Sequence, residues 1–586
     1  MTPLLNVHAA FAFAFLPVVT AAPASYKQEY CSVVATDLGN CRTPPDSFLP
    51  FAAQTSASKS ANTEILEDAY SALAVLQNEY YQIGRGTWPS AIDWTAAVTE
   101  TVVSGMLSTL TKSLSLIVPG TTPRVQQEQE NLISSVYDQV IGYLFEQDIV
   151  AIRDEAFDDI LWVVLGWIEA TNFARAHDRL HFHQTNRNLN DTLPTDVHVA
   201  LESLPWRGTA WISSFQSRAQ TFWLLGSQGW DTTLCHGGMI WNPRLEPYKN
   251  AITNELYISA SVSMYQYLAN GSTANPDPTY LQAATVGYQW LLNSNMTNQQ
   301  GLFVDGFHVD HSKPNNVECD QRDEMVYTYN QGVLLTGQRG LWDVTGTPSY
   351  LEDGHNLIQS VITATGWDLR TNKAIDSFNS SADLPPWRGI GRGGILEDQC
   401  DASGTCSQDS QTFKGIYFHH LNAFCRPLDG NSLKGYGSVN MDSFNRVKKA
   451  HKTACQAYLG WIQHNAQAAL NTRDSRGRFG MWWGPGLFGN VNVSPSTDGI
   501  NHNAANTTDY RNQGTPKNAV WGRTSRWLPG PQKGGMEKQV APELHGLMKA
   551  QASDPNDRGR GRTVETQVGG VALLRAYWDI SQLSSS

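Results

Sequence analysis

Two carboxylates stand side by side at Asp158 and Asp159, in the run Glu155-Ala156-Phe157-Asp158-Asp159-Ile160-Leu161-Trp162, and the most apolar helical stretch of the chain follows at once. Adjacent carboxylates at the mouth of a buried helix oppose each other's ionisation, so one of them tends to keep its proton. One ionised carboxylate beside one protonated carboxyl is the pair that glycoside hydrolysis requires. On a regular helix the side chains of residues i and i+1 diverge by about 100°. That divergence lets one carboxyl reach an anomeric carbon while the other reaches the leaving oxygen. Adjacent residues at a helix entry can provide the separation of about 5 Å that a retaining mechanism uses. The helix N-terminus favours the ionised member, and repulsion raises the pKa of the other toward that of a general acid. Taken alone, an Asp-Asp pair most often does no more than cap a helix, so its surroundings decide its meaning.

Other polar residues stand at comparable places. Asn250, Tyr329, Asn330 and Gln331 lie at helix entries, where they either hydrogen-bond the hydroxyls of a bound sugar or cap their own helices. Glu397 and Asp398 lie in a loop and are alternative catalytic acids. Asp305, in Phe303-Val304-Asp305-Gly306, reads as a turn residue. His308, Asp310 and His311 are close in sequence, but a metal site needs convergent ligands that the pattern does not identify, so no metal is expected. No glycine-rich loop follows a strand, so no nucleotide cofactor is implied.

The elements that must position these groups are helices. The segment 250–269 places Ile252, Leu256, Ala260, Met264 and Tyr267 on one face. The segment 329–345 does the same with Leu334, Gly337, Leu341 and Val344. Twelve helices are expected, over 64–83, 91–113, 126–148, 159–175, 211–226, 250–269, 278–294, 329–345, 348–364, 409–425, 447–470 and 563–580. A faint repeat links Gln331-Gly332-Val333-Leu334-Leu335 to Gln567-Val568-Gly569-Gly570-Val571, and Asn254-Glu255-Leu256-Tyr257 follows the same plan of polar groups first and an apolar face after. Helices with polar starts, paired as hairpins, form an (α/α)6 toroid of about six hairpins whose starts converge on one face. Because the hairpins share a core, residues 23–586 are expected to form a single catalytic domain. The loops 176–210, 365–408 and 471–562 are too long to be mere connections, and their aromatics suit walls around a cleft.

Composition sets the context. The chain has 586 residues, a formal charge of -12 and 19 tryptophans. An acidic balance excludes nucleic acid and anionic membrane surfaces as partners, since both need a basic footprint. The tryptophans suit either a large core or a carbohydrate cleft. Residues 1–22 read as a secretory signal, with an apolar stretch from Ala9 to Val19 and small residues before Pro23, although no Lys or Arg precedes the stretch. No later segment is apolar for the length of a bilayer span, and the C-terminus carries no tail of the kind that directs GPI anchoring. A secreted, extracellular or cell-wall protein is expected. Eight cysteines without CxxC spacing fit disulfides better than zinc. Cys31–Cys41 and Cys400–Cys406 are plausible local bridges, and the remaining connectivity is open. Sequons occur at Asn190, Asn270, Asn295, Asn379, Asn492 and Asn506.

Several motifs add to the doublet. They are Trp230-Asp231 with Gly237-Gly238-Met239-Ile240-Trp241-Asn242, then Tyr248-Lys249-Asn250-Ala251-Ile252-Thr253-Asn254-Glu255-Leu256, Val326-Tyr327-Thr328-Tyr329-Asn330-Gln331-Gly332, and Phe413-Lys414-Gly415-Ile416-Tyr417. With Phe157-Asp158-Asp159, and with Leu76-Gln77-Asn78-Glu79-Tyr80-Tyr81 ahead of it, this order resembles glycoside hydrolase family 76, the endo-α-1,6-mannanases. The resemblance covers roughly residues 64–425 and continues more loosely to the C-terminus. It implies an (α/α)6 barrel, a mannan polysaccharide as partner, and retaining hydrolysis of α-1,6 linkages, with Asp158 as nucleophile and Asp159 as general acid/base. The alternatives are a cell-wall mannosyl transglycosylase of the same family, a non-catalytic mannan-binding protein, and a lyase or unsaturated-uronyl hydrolase on the same toroid. An anchored transglycosylase would want a C-terminal tail, an intact doublet weighs against a binding-only protein, and an acidic-glycan enzyme would want a basic cleft. Oligomeric state is not encoded in any of these features.

Overall fold

The computed structural model describes residues 63–114, 124–182, 205–268, 276–310, 312–376, 384–430, 440–489, 491, 493–512 and 554–584. The expected signal segment, Cys31, Cys41, His311 and the sequons at Asn190, Asn270, Asn379 and Asn492 lie outside the described residues.

Apolar periodicity produces long helices in chain order: α1 (Thr63–Glu79), α2 (Asp93–Ser113), α3 (Arg124–Glu146), α4 (Phe157–His181), α5 (Ile212–Gly226), α6 (Ala251–Tyr267), α7 (Pro278–Asn293), α8 (Val333–Thr345), α9 (Ser349–Ala364), α10 (Gln408–Phe424), α11 (Met441–Ala457), α12 (Leu459–Leu470) and α13 (Val564–Ser581). Helices α2, α4, α6, α8, α10 and α13 each pack against the next, and α13 returns to α2, so the six close a ring. The intervening helices pack outside it: α3 on α2, α5 on α4, α7 on α6, α9 on α8, and α12 and α1 on α13. This alternation of inner and outer helices is the (α/α)6 toroid. Burial matches position. On α6 every residue from Ala251 to Tyr265 is buried, as an all-round covered helix requires.

Helix starts are capped by short polar side chains. Asn250 accepts from the N–H of Thr253 at α6, Ser407 from that of Ser410 at α10, and Thr563 from that of Thr566 at α13. The expected helix over 447–470 is two helices, parted at Tyr458, whose hydroxyl lies 2.8 Å from His355 Nδ1 on α9. The helix expected from 329 begins at Val333, because Tyr329–Gln331 form a 3-10 turn whose side chains serve other partners.

Strands are few and short. Tyr248–Asn250 (β1), Gly306–His308 (β2) and Gln321–Asp323 (β3) form an antiparallel sheet beside the start of α6, with Asn250 opposite Gly306 and Gly306 opposite Asp323. A Cβ at Gly306 would lie 2.6 Å from the carbonyl oxygen of Lys249, so only glycine permits this strand approach. Disulfides join Cys235 to Cys319, Cys400 to Cys406 and Cys425 to Cys455. The tryptophan excess goes largely into the core, where Trp88, Trp167, Trp342, Trp461, Trp482 and Trp483 are fully buried. No described helix is long and apolar enough to cross a membrane.

Candidate active site

Asp158 and Asp159 occupy the first turn of α4, an inner helix. The loop 230–242 is locked onto that turn. Lys249, buried on β1, directs its ammonium into the loop and donates to the carbonyls of Asp231, Gly237 and Gly238 and to the Asp231 carboxylate, all within 2.9 Å. Gly238 turns with φ +88°, a conformation that favours glycine. Asn254, one turn into α6, accepts from the N–H of Met239 at 2.7 Å. The next residues then run beside β1 and α4: the Trp241 N–H donates to the carbonyl of Tyr248 and the Phe157 N–H to that of Trp241, both at 2.8 Å. The outcome is a fixed indole whose Nε1 donates to Asp158 Oδ2 at 3.0 Å.

The two carboxyl groups have different surroundings. Asp158 is buried, and burial pushes its pKa up to about 6. The rise is limited by the Arg511 guanidinium, the N–H of Asp159 and the Trp241 indole, all of which favour the charged form. Arg511 Nη2 stands 3.5 Å from Asp158 Oδ2 and donates to the Tyr329 hydroxyl at 3.0 Å, with its guanidinium over the Trp241 ring. Asp159 is partly exposed at the surface of the same turn and accepts from the N–H of Ala156 at 3.1 Å. Its pKa is raised well above the usual carboxylate range, by burial of its carboxyl first and the charge of Asp158 second. Glu155 is also buried, and burial above all pushes it up to about 11, so it stays neutral. The pair therefore divides into one carboxylate held by a cation and an indole, and one carboxyl that keeps its proton. That division can supply a nucleophile and a general acid.

The other expected site residues are all buried at helix entries. Tyr329 belongs with the doublet through Arg511, and its ring stacks on Phe413 at 3.9 Å between centroids. Asn330 donates to Asp305 at 3.3 Å, and its Oδ1 has no hydrogen-bond partner among the described residues. Asn250 caps α6 while its Nδ2 has no hydrogen-bond partner among the described residues. Gln331 is different: its amide accepts from the N–H of Phe303 and donates to the carbonyls of Phe303 and Tyr327, so it clips backbone to backbone.

Asp305 is more than a turn residue. It is buried, accepts from the Tyr248 hydroxyl at 2.8 Å, and feels the charge of Arg511. Glu397 is bound by Arg392 and by the Trp482 indole, and Asp398 by the N–H and hydroxyl of Thr328, so both are committed to holding loops. His308 stacks on Tyr248 and contacts the Tyr510 hydroxyl, and Asp310 pairs with Lys313. Arg511, which organises the site, was missed altogether. It lies in the long stretch after α12, where no periodic pattern marks it.

Comparisons with known proteins bear on this arrangement. The model of glycosyl hydrolase family 76 matches residues 207–432, which contain Trp241, Asn250, Asp305 and Tyr329–Gln331 and begin after the aspartate doublet. A mannan endo-1,6-alpha-mannosidase of Candida glabrata is 23% identical over 200 residues, 33% of this chain and 36% of that protein. A Schizosaccharomyces pombe protein is 23% identical over 213 residues, 36% of this chain and 40% of its own length. The chain thus spans well under half the length of the curated relatives it matches. Among solved structures, an inactive variant of the alpha-1,6-mannanase GH76A of Salegentibacter sp. HEL1_6, in complex with alpha-1,6-mannotetrose, is 14% identical, covering 89% of this chain and 100% of that one with a TM-score of 0.47. Through residues 207–432 the chain is similar to glycosyl hydrolase family 76.

Proposed function

We propose that the protein is an endo-acting α-1,6-mannosidase that cleaves mannan with retention through Asp158 and Asp159. The observation that carries this reading is the unequal pair at the start of α4. Asp158 is held by Trp241 and Arg511, and Asp159 has its pKa raised beside it. Asp158 attacks the anomeric carbon. Asp159 gives its proton to the departing glycosidic oxygen, which leaves a mannosyl ester on Asp158. Asp159, now ionised, takes a proton from water as the water oxygen attacks the same carbon, and the ester bond breaks to release Asp158. Asn250 Nδ2 and Asn330 Oδ1, buried without hydrogen-bond partners among the described residues, are groups for sugar hydroxyls. Gln331 supports the site from behind through its backbone clip. The family match and the α-1,6-mannosidase named among the relatives supply the substrate class. In the same reading the protein is a secreted glycoprotein, with residues 1–22 as its leader.

Asp158→Asn and Asp159→Asn are each expected to lower kcat on debranched linear α-1,6-mannan by at least about 10³-fold while leaving the melting curve intact. Sizing of the products and NMR of the first-formed anomer check the reading. Full activity in either variant, or inversion at the anomeric carbon, would refute it. Products longer than the supplied oligosaccharide would assign a transglycosylase.

A further inference from the structure

Past α12 the chain builds something the mechanism does not use. The stretch 498–512 lies outside the family-matched residues and carries Arg511 to Asp158. Ahead of Arg511 the same stretch walls a polar pocket of about 300 Å3. Gln399, His502, Asn503, Thr507, Thr508 and Asp509 line it, with Met325 and Ala504 as its apolar contribution.

The walls are held in place. The Glu324 N–H donates to the carbonyl of Asn506 and the Thr508 N–H to Asp323, at 2.7 and 3.0 Å, which bind the stretch to the end of β3. Asp509 accepts from the Tyr327 hydroxyl at 2.7 Å and from Asn512. His502 is oriented by buried Asp498, with Nε2 2.7 Å from its carboxylate. These bonds are made within the protein, so the pocket is built before anything enters it. Its volume is at the lower end for small-molecule sites, enough for a sugar ring and too small for a chain.

The lining chemistry selects the occupant. Amides, hydroxyls, an imidazole and one carboxylate offer donors and acceptors in several directions, which suits vicinal hydroxyls. The Asp509 carboxylate and the Asp498 carboxylate behind His502 oppose a phosphate or uronate. No described Lys or Arg lines the pocket. We infer that this pocket binds one neutral hexosyl unit of the glycan lying across the mouth of the ring, making residues 502–509 a specificity determinant outside the doublet. The inference rests on the mannan reading for the identity of the sugar. The unit comes either from the main chain beyond the cleaved bond or from a branch.

Titration calorimetry on the Asp159→Asn protein reads the pocket without turnover. The ligands are a linear α-1,6-mannooligosaccharide and a branched one, each titrated with and without Ala504→Trp, which fills the pocket. Asn503→Ala and Thr507→Val, which remove polar groups and add little bulk, serve if the tryptophan variant misfolds. A rise in Kd of about tenfold for both glycans assigns a main-chain unit, and a rise for the branched glycan alone assigns a branch. Unchanged affinities in a protein with an unchanged melting curve overturn the inference, as does the absence of binding by either glycan to Asp159→Asn. Failure of the mannanase reading shows separately, as wild-type protein that does not cleave linear mannan.

Discussion

At the scale of the residue, the site rests on how one cation is shared. Arg511 touches Asp158 and Tyr329 and lies over Trp241, and its charge is the largest influence holding the pKa of Asp158 down against burial. The sign of the pH dependence follows. In the proposed mechanism Asp158 must be ionised to attack, so activity is expected to rise as pH passes through about 6. In the same proposal Asp159 must be protonated to act as acid, and its pKa is raised, so activity is expected to fall on the alkaline side. The two limbs belong to the pair as a unit. Arg511→Met removes the stabilising cation. Its acid limb is expected to move to higher pH, with kcat/KM at pH 6 falling about tenfold or more, and a pH profile of kcat/KM checks this. A variant that lost activity equally at every pH would show that Arg511 only holds the loop.

At the scale of the element, the faint repeat in the sequence acquires a physical meaning. Asn254, Gln331 and Gln567 each lie within the first turns of an inner helix or just before it. Each accepts from one loop N–H, of Met239, Phe303 and Phe479 respectively. Carboxamides suit this task because they accept and donate at once, and Gln567 donates onward to the carbonyl of Ala72. The repeat is therefore a set of clips that fasten loops to the ring. Close helix approach is equally local. A Cβ at Gly415 on α10 would lie 2.8 Å from the Cα of Gly569 on α13, whereas a Cβ at Gly569 would meet nothing closer than 3.9 Å. Gly415→Ala is expected to cost about 1–3 kcal/mol by forcing the two helices apart, and Gly569→Ala to be close to neutral. Urea unfolding of the two variants tests the asymmetry, and equal losses would contradict it.

At the scale of the whole molecule, the ring brings inner-helix starts to one mouth, where the loops 230–242 and 498–512 touch Asp158 and the segment 324–331 joins them through Arg511. Disulfides tie down one of these loops and a neighbouring one. Cys235–Cys319 links the loop bearing Trp241 to the turn before β3, and Cys400–Cys406 closes the loop ahead of α10. The sequons at Asn295 and Asn506 are exposed, each in a left-handed backbone position at the edge of a loop. Protein recovered from the medium of a secreting eukaryotic host is expected to lose mass on N-glycosidase treatment. Asn295→Gln and Asn506→Gln are each expected to remove part of that shift, as intact-mass measurement would show. An unchanged mass would exclude glycans at both sites.

Most of the helices, their pairing into a toroid, and the place of Asp158 and Asp159 at a helix entry were legible in the sequence, whereas the break of 447–470 into two helices was not. The legible features all rest on local patterns: apolar residues at intervals of three and four, capping side chains, and two carboxylates next to each other. The division of labour within the doublet was not legible, because the groups that create it come from far along the chain. Trp241 is 83 residues from Asp158, and Arg511 is 182 residues from the Tyr329 that steadies it. Asp305 passed for a turn residue for the same reason, since its burial depends on Tyr248 and Asn330 meeting it across the sheet. Gln331 could be placed at a helix entry but not given its task, because whether an amide faces a ligand or a neighbouring backbone depends on which loop the ring sets against it. The sequence by itself determined that Asp158, Asp159, Asn250 and Tyr329–Gln331 stand at helix starts. Only the tertiary structure decided which carboxyl is held charged and which keeps its proton, because pKa depends on burial and on charges that closure of the ring brings within a few ångströms.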